Sequence, residues 1–335
     1  MRAPSFWWQE QTTAAALLSP AAGVYGAVAA ARMRQNGERV GVPVLCAGNP
    51  TLGGSGKTPT ALALARLLTD VGERPFLLSR GYGGRLAGPV RVDPQHHRAD
   101  DVGDEPLLLA RCAPTIIARD RVAGARFARA GGASVIVLDD GFQNPSLAKD
   151  LSILVIDGRR GVGNGLVFPA GPLRAPLTAQ LDRAQAMLTI GDGPSAAAVE
   201  SAAVLRGLSL FRGTLVPDAA SAAALRGSRV LAFAGIGDPE KFFATLSDAG
   251  VDVASRRGFA DHHPFTAADA ESLLAEADRD GLSLVTTEKD FMRLAHRRAL
   301  AALAERTRVL PVTLKIDDED RFRRFVLAPL AAARS

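Results

Sequence analysis

Cysteine is scarce in this chain of 335 residues: Cys46 and Cys112 stand far apart in sequence, each within an apolar run. Two such residues make no disulfide framework and no cysteine-rich zinc pattern, so a reducing cytosol is the natural compartment. Aromatic residues are also few, at 5%. Because both tryptophans lie together near the amino terminus, no platform for stacking bases is expected, and a nucleic-acid ATPase is disfavoured.

An acidic excess is missing as well, since 40 Lys and Arg residues outnumber 35 Asp and Glu residues and give a net charge of +5. The resulting pI near 9.7 suits an acidic partner such as a nucleotide, a phospholipid or a nucleic acid, without choosing among them. The sequence has no repeat of fixed period. Apolar residues, by contrast, form 47% of it, which is enough to bury large cores in about two domains.

The amino-terminal segment carries no charge from residue 11 to residue 31, and arginines follow from Arg32 onward. This order differs from a secretory signal, in which positive charge comes first. Alanine, serine, proline and glycine dilute the run, so a transmembrane span is not expected. Two interpretations stay open: an interfacial helix anchored by Trp7–Trp8 and the arginines, or an alanine-rich helix packed on the body of the protein.

The most informative segment is Gly48–Pro59, with the sequence Gly-Asn-Pro-Thr-Leu-Gly-Gly-Ser-Gly-Lys-Thr-Pro. An apolar strand-like run precedes it and a helix-like run follows it, which is the order of a phosphate-binding P-loop. Backbone N–H groups of such a turn surround phosphate oxygens, while Lys57 reaches the terminal phosphates and Thr58 binds Mg²⁺. The predicted nucleotide-binding residues are Thr51, Leu52, Gly53, Gly54, Ser55, Gly56, Lys57 and Thr58.

A second motif follows the apolar run Ser134–Leu138, which ends in Asp139 and Asp140. Four hydrophobic residues followed by an acid form the Walker B pattern, in which a buried strand holds a carboxylate at the mouth of the P-loop. One of the two aspartates then positions Mg²⁺ beside Thr58, and the sequence does not decide which. The alternative is a strand that simply ends in an Asp-Gly turn.

Strand-like and helix-like runs alternate in both halves of the chain, which predicts two α/β lobes with mainly parallel sheets. We expect an amino-terminal apolar helix over 1–36, a P-loop NTPase-like core over 37–225 and a second, smaller α/β lobe over 226–335. A glycine- and proline-rich segment over 158–175 predicts irregular structure inside the core.

Two polar segments are candidates for an acceptor site. Gly103–Pro106 places Asp104 and a second acid before an apolar run, although Asp104 at a helix start is equally a simple cap. Asp261–His263 suits a general base pair, charge stabilisation or a metal site. The segment Thr287–Asp290 is interpreted as mostly structural.

Taken together and in order, these segments resemble the tetraacyldisaccharide 4'-kinases, the lipid A 4'-kinases of Gram-negative bacteria. The resemblance covers nearly the whole chain and rests on Gly48–Pro59, Ser79–Gly83, Gly103–Pro106, Leu138–Gln143, Pro169–Arg174, Gly235–Ile236, Phe259–His263 and Thr287–Asp290.

The resemblance implies transfer of the ATP γ-phosphoryl group to the 4'-hydroxyl of a tetraacyldisaccharide 1-phosphate, with Mg²⁺ as metal. It implies Asp104 as base, His262 as its partner and Lys57 as the cation at the transferred group. It places the protein at the cytoplasmic face of the inner membrane, peripheral or monotopic, and favours a membrane-associated helix; we expect a monomer. Candidate substrate contacts are Asn49, Arg80, Arg121, Gln143 and Arg174, the arginines on charge alone.

Two alternatives remain open at this point. A P-loop kinase or ligase for a soluble acidic metabolite would turn over a soluble acceptor and would not phosphorylate a lipid. A non-enzymatic nucleotide-dependent switch or metallochaperone, with His262 and His263 as metal ligands, would retain metal stoichiometrically and phosphorylate nothing. Because Asp104 and His262 fall in different lobes, we also expect catalysis to depend on lobe closure.

Overall fold

The computed structural model describes residues 4–10, 12–295 and 297–332, so residues 1–3 and 11 of the expected amino-terminal helix and residues 333–335 of the expected second lobe lie outside the described residues. The strands are β1 (Val44–Gly48), β2 (Pro75–Ser79), β3 (Val90–Arg91), β4 (Thr115–Ile117), β5 (Val135–Asp139), β6 (Leu151–Asp157), β7 (Ala186–Ile190), β8 (Ser209–Pro217), β9 (Arg229–Ala234), β10 (Asp252–Gly258), β11 (Ser283–Thr287), β12 (Thr307–Leu310) and β13 (Val312–Ile316). The helices are α1 (Thr13–Met33), α2 (Lys57–Asp70), α3 (Ala99–Val102), α4 (Asp104–Leu109), α5 (Arg121–Ala130), α6 (Leu177–Leu181), α7 (Ala197–Val204), α8 (Ala219–Leu225), α9 (Pro239–Asp248), α10 (Ala267–Asp280), α11 (Glu288–Leu294), α12 (Ala301–Arg306) and α13 (Glu319–Ala332).

The first lobe contains a nine-stranded sheet in the order β13-β8-β7-β6-β1-β5-β2-β4-β3. Its strands pair in parallel except at the two edges, where β13 and β3 run antiparallel to their neighbours. The central strands are buried on both faces, which explains their continuous apolar runs. On one face α2 packs Leu64 and Leu68, and on the other α5 packs Ala125 and Ala128. The expected α/β fold with a mainly parallel sheet is confirmed.

The second lobe is built on a four-stranded sheet in the order β10-β9-β11-β12, with every pair parallel. Phe243 and Leu246 of α9 cover one face, and Leu273 and Ala277 of α10 cover the other. Loops that follow β9 and β11 therefore share the carboxyl edge of this sheet, where binding residues of open α/β sheets are found.

The last segment of the chain returns to the first lobe. After β12 the strand is broken at Pro311, which has no N–H for a ladder, and β13 then pairs with β8. Phe322 and Val326 of α13 lie in the first lobe's core. Residues 312–332 thus pack with the first lobe, whereas we expected one second lobe over 226–335. The sequence alone does not indicate which strand an antiparallel edge strand will pair with. The boundary at 226 stays a prediction.

Helix α1 packs on the body of the protein, as one of the two interpretations of the amino-terminal run expected, and the interfacial interpretation stays a prediction. Small residues, including Ala22 and Gly26, pack against the first lobe, and a Cβ at Gly26 would lie 3.5 Å from the Pro176 ring. Several of its larger side chains face outward: Leu17 is 78% exposed and Val24 is 69% exposed. With 21 residues and a mean hydropathy of 1.5, α1 is long and apolar enough to cross a membrane by composition, although a span was not expected.

The two tryptophans differ from the expected membrane anchors. Trp7 is buried, and its Nε1 donates a hydrogen bond to the carbonyl of Pro169 at 3.0 Å. The Trp8 ring lies 5.2 Å from the guanidinium of Arg160. Both rings therefore tie the amino terminus to the irregular 158–175 segment.

Candidate active site

The phosphate-binding turn lies between β1 and α2, at the carboxyl edge of the first sheet. Gly56 enters α2 with φ of 92°, a left-handed conformation that favours glycine, and a Cβ there would lie 2.5 Å from Ile190 Cδ1. Gly53 has φ of 107°. The structure places all eight predicted nucleotide-binding residues, Thr51–Thr58, in this turn and at the start of α2. Such a turn directs backbone N–H groups towards an anion at a helix amino terminus.

Thr58 and Asp139 meet where α2 begins and β5 ends, with Thr58 Oγ1 donating to Asp139 Oδ2 at 3.2 Å. Burial, followed by the negative charge of Glu105, raises the pKa of Asp139 to about 8. Its Oδ1 is buried and has no hydrogen-bond partner among the described residues. A buried carboxylate with an unused oxygen beside a threonine hydroxyl fits Mg²⁺, which prefers oxygen ligands.

Asp140 is held differently from its neighbour. Arg174 binds it through two hydrogen bonds of 2.8 and 3.1 Å, and Lys57 Nζ lies 3.8 Å from Oδ2. Burial opposes ionisation, but the charges of Lys57 and Arg174 hold the pKa of Asp140 below its ordinary value. Arg174 also donates to the carbonyl of Thr51 at 2.9 Å. The guanidinium therefore joins the Walker B turn to the phosphate-binding turn.

The other predicted substrate contacts lie around the same edge. Buried Asn49 donates to the Gly53 carbonyl at 3.1 Å, and Gln143 donates to the Asn49 carbonyl at 2.8 Å, so both support the turn. Arg121 is buried at the start of α5, and its Nε is unpartnered within the described part of the chain. Arg80 is exposed at the end of β2, and its charge lowers the pKa of Arg121, after burial as the larger cause. A role in binding substrate stays a prediction for all of these residues.

Asp104 lies at the contact between the lobes. His262 Nδ1 is 3.1 Å from Asp104 Oδ2, as the resemblance implied, and Arg293 Nε lies 3.1 Å from the same oxygen. Burial raises the pKa of this carboxyl, but the His262 hydrogen bond and the charges of Lys289, His262 and Arg293 together lower it to about 2. Asp104 Oδ1 also accepts the backbone N–H of the adjacent Glu105 at 2.9 Å. The cap residue of α4 is Gly103 and no side chain caps this helix, so the interpretation of Asp104 as a simple cap is wrong.

The second lobe fixes the position of His262 through its backbone. The residue has φ of 56°, a left-handed conformation that is uncommon for residues other than glycine. Its N–H donates to the Gly235 carbonyl at 3.0 Å, and Arg293 donates to the same carbonyl at 2.8 Å. Asp140 shares this unusual backbone, with φ of 58°. Such outliers among non-glycine residues concentrate at functional sites.

The adjacent histidines do not form a joint metal site. His263 lies 3.0 Å from Asp269 and stacks on Phe259 with 4.7 Å between ring centroids, whereas His262 faces Asp104. Within residues 4–10, 12–295 and 297–332, no group of three or more His, Cys, Asp or Glu side chains is arranged to hold a metal ion. The metallochaperone alternative therefore loses the ligand pair on which it depended.

Lys289 and Arg293 are functional candidates that sequence reasoning missed. Lys289 Nζ lies 3.0 Å from Glu105 Oε1 and 3.2 Å from His262 Nε2. Arg293 binds Asp290 at 2.6 Å in addition to Asp104. The position of Thr287–Asp290 at the carboxyl end of β11 could have indicated these two residues, because ligand loops of α/β sheets lie at that edge.

The two lobes also contact each other at the phosphate-binding turn. A Cβ at Gly237 would lie 3.1 Å from the backbone nitrogen of Gly54. Lys241 pairs with Asp157 at 3.0 Å, and Asp238 pairs with Arg159 at 2.8 Å. The fold and the site thus define a P-loop nucleotide-binding protein whose second lobe contacts the phosphate-binding turn.

Comparison with known proteins identifies the family. Residues 14–331 match the model of the family described as tetraacyldisaccharide-1-P 4'-kinase. A tetraacyldisaccharide 4'-kinase of Rhodopseudomonas palustris strain HaA2 is 56% identical over 335 residues, covering 100% of this chain and 98% of the relative. One of Nitrobacter winogradskyi is 55% identical over 334 residues, covering 100% and 99%. The chain therefore belongs to the tetraacyldisaccharide-1-phosphate 4'-kinase family, as its sequence motifs indicated.

A solved structure supports the fold. LpxK from Aquifex aeolicus, in a crystal structure described as an "apo" form in complex with ATP, aligns with a TM-score of 0.72 and 26% sequence identity. The alignment covers 94% of this chain and 99% of that chain. The shared architecture thus extends over both lobes.

Proposed function

We propose that this protein transfers the γ-phosphoryl group of ATP to the 4'-hydroxyl of a tetraacyldisaccharide 1-phosphate in the cleft between its lobes. The observation that carries the proposal is the Asp104–His262 pair, 3.1 Å apart, at the lobe interface of a chain that also has the phosphate-binding turn Thr51–Thr58. Burial is the main cause of the raised pKa of Asp139 at the turn, and the negative charge of Glu105, the chain neighbour of Asp104, adds to it.

Phosphoryl transfer depends mainly on positioning and on neutralising negative charge. Asp104 accepts the proton of the 4'-hydroxyl, whose oxygen forms a bond to the γ-phosphorus while the bond to the β–γ bridging oxygen breaks. ADP leaves with the electron pair of that bond. Lys57, at the start of α2, binds the terminal phosphate oxygens, and the backbone N–H groups of the turn bind the remainder. His262 and Arg293 hold Asp104 in its ionised form.

Thr58 and Asp139 are the residues that would hold Mg²⁺, since Asp139 has the unused buried oxygen while Asp140 is committed to Arg174 and Lys57. The bound ion would neutralise negative charge on the phosphate oxygens. The protein's own contribution is to keep the Asp139 carboxylate rigid at the end of a strand buried on both faces.

The outward face of α1 is apolar and could lie against the membrane that contains a lipid substrate. Val24 and Val28 are exposed there, and Tyr25 contacts Phe168 of the irregular segment, with 5.5 Å between ring centroids. An apolar surface of this kind, with basic residues beyond its carboxyl end, suits an anionic cytoplasmic leaflet. We propose that α1 holds the monomer on the cytoplasmic face of the inner membrane, so that acyl chains stay in the bilayer.

The test is to incubate the full chain with labelled ATP and a tetraacyldisaccharide 1-phosphate in detergent micelles. Label is expected on the lipid, with ADP formed in equal amount. A soluble acidic sugar phosphate serves as the competing acceptor. Label on the soluble acceptor alone would overturn the proposal in favour of a metabolite kinase, and retention of nucleotide without transfer to either would favour a switch.

A further inference from the structure

A cavity of about 420 Å³ lies at the carboxyl end of α1, between that helix and the segment that joins β5 to β6. Met33 and Asn36 line one side of it, and Leu147, Lys149 and Ser152 line another. Sites for small molecules have volumes of about 300–1,000 Å³. The cavity is therefore large enough for a small polar ligand.

This cavity is separate from the candidate active site. Its lining residue Ser152 is near the amino end of β6, and Gln185 immediately precedes β7, whereas the phosphate-binding turn follows the carboxyl end of β1. Strand β6 has seven residues, which corresponds to roughly 20 Å from one edge of the sheet to the other. The cavity thus lies at the amino edge of the sheet, opposite the nucleotide.

Lys149 is a half-buried cation of this cavity. Its Nζ donates to the carbonyl of Asn144 at 2.6 Å and to the carbonyl of Leu147 at 3.4 Å. It forms no ion pair with a carboxylate in the part of the chain that the structure describes. Because an ammonium group has three donors, one N–H of Lys149 is left for a ligand.

A second cation, Arg183, lies close enough to affect Lys149. Burial lowers the pKa of Lys149; Cys46 opposes this, and the positive charges of Arg183 and Arg121 lower the pKa further. Arg183 itself is exposed, and its guanidinium has no hydrogen bond or ion pair with another described residue. A bound anion would offset the repulsion between the two lining cations, Lys149 and Arg183.

The acidic groups around the cavity are already paired. Asp182 lines it and accepts a hydrogen bond from Arg206 at 3.1 Å, and the lining residue Arg39 pairs with Asp150 at 3.0 Å. Carbonyls at the end of α1 accept backbone N–H groups of the following turn, which limits their repulsion of an anion. The charge that remains for a ligand is therefore positive.

An apolar surface adjoins this positive cavity. Val28 of α1 is exposed and precedes the lining residue Met33 by five positions, which is about 8 Å along the helix axis. Arg32 and Arg34 are exposed at the same end of the helix. Basic pockets beside helices that contact a membrane bind the head groups of anionic lipids. The apolar surface and the cavity thus match the two parts of a phospholipid.

We propose that this cavity binds the phosphate group of an anionic phospholipid, with Lys149 and Arg183 as its cationic contacts. A guanidinium can donate two parallel hydrogen bonds to phosphate oxygens, and the ammonium supplies a further donor. A soluble phosphate ester shares this chemistry but gains nothing from the apolar surface of α1. The site is separate from phosphoryl transfer, and only the membrane as the source of the lipid depends on the position proposed for α1.

The test uses Arg183→Gln, which removes a cation that makes no hydrogen bond to a described residue, so the melting temperature should match that of the parent. Arg183→Lys keeps the charge. Arg34→Gln is the matched control, because Arg34 is exposed beside the cavity and does not line it. Lys149 is less suited to substitution, since its Nζ holds two carbonyls of the segment between β5 and β6.

The readout is native mass spectrometry of the full chain in detergent micelles, with phosphatidylglycerol, phosphatidylcholine or glycerol phosphate added at equal concentration. The parent is expected to retain one phosphatidylglycerol and less of the other two. Arg183→Gln should lower the retained fraction by about tenfold, as expected for the loss of one charge-assisted hydrogen bond. Arg183→Lys should stay within about threefold of the parent, and Arg34→Gln within about twofold.

Equal retention by Arg183→Gln and the parent, or an equal loss in Arg34→Gln, would overturn the inference. Glycerol phosphate retained as well as phosphatidylglycerol would also overturn it and assign the cavity to a soluble phosphate ester. Phosphorylation of lipid in micelles by Arg183→Gln should stay within about twofold of the parent, because the two sites are far apart. A parent that retains the lipid but transfers no phosphoryl group would refute only the proposed function, and one that retains it but does not bind vesicles would refute only the position proposed for α1.

Discussion

The two ends of the cleft differ in how completely their charges are satisfied. At the phosphate-binding turn, Asp139 has a buried oxygen without a partner among the described residues, and burial lowers the pKa of Lys57. At the lobe interface, Asp104 is paired with His262 and Arg293, and its pKa is about 2. The phosphate-binding turn is therefore an incomplete region, whose charges are satisfied only when phosphate and metal bind. The lobe interface around Asp104 is an organised region, whose charges are already satisfied by protein side chains.

The largest effect is expected from removing the cation of the incomplete region. Lys57→Ala should lower kcat by about 100-fold to 1,000-fold, because a charge directed at the transferred group is lost. Asp140 keeps Arg174 as partner, so the melting temperature should change little. Kinase assays and thermal unfolding measure the two effects. Activity within about twofold of the parent would contradict the P-loop assignment.

The organised region should respond as a unit. Asp104→Asn and His262→Asn are each expected to lower kcat by about 100-fold, and the double variant should lose little more than either single variant. Arg293 remains hydrogen-bonded to the Gly235 carbonyl in all three, which limits unfolding as an explanation. If the losses multiply, Asp104 and His262 act separately, and the comparison between the regions fails.

The same region predicts a flat acidic side of the pH profile. Asp104 has its pKa lowered to about 2, so the base is ionised at every pH above about 3, and the rate it supports falls only as pH drops through that value. Between pH 5 and pH 8, kcat/KM should therefore show no acid limb from this carboxyl. The contrary result is an acid limb between pH 5 and pH 8 that is present in the parent and absent from the residual activity of Asp104→Asn. It would show that the pKa of Asp104 is not lowered as the structure indicates.

Sequence predicted the incomplete region better than the organised one, for a physical reason. Lys57, Thr58 and Asp139 come from contiguous motifs at the ends of β1 and β5, which are adjacent parallel strands, so their meeting follows from fold class. The contacts of Lys289 with Glu105 and of Arg293 with Asp104 depend on how the two lobes pack, which no local pattern encodes. The resemblance to a known family predicted the Asp104–His262 pair, but the contacts of its neighbours are visible only in the structure.

Metal and nucleotide should stabilise the incomplete region measurably. Adding Mg²⁺ and ATP at 100 times the dissociation constant stabilises a protein by about 2.7 kcal/mol, which raises the melting temperature of the parent by several degrees. Asp139→Asn should retain the shift from ATP alone and lose the additional shift from Mg²⁺. Asp238→Asn, a variant at the interlobe contact with Arg159, is the control and should keep both shifts. An undiminished Mg²⁺ shift in Asp139→Asn would assign the ion elsewhere.

The smallest expected effect concerns how the cleft is presented to its lipid. Val24 is 69% exposed on α1 and has little packing to lose, so Val24→Asp should leave the melting temperature unchanged. Burying a charge in the headgroup region should nevertheless weaken binding to vesicles of anionic phospholipid by several-fold, since both apolar contact and electrostatic attraction decrease. Val24→Ile is the matched control, because it keeps an apolar side chain at the same site. Activity on lipid in micelles should persist in both variants, so a parallel loss of activity in Val24→Asp would mean that α1 acts on the cleft itself and not only on its position at the membrane.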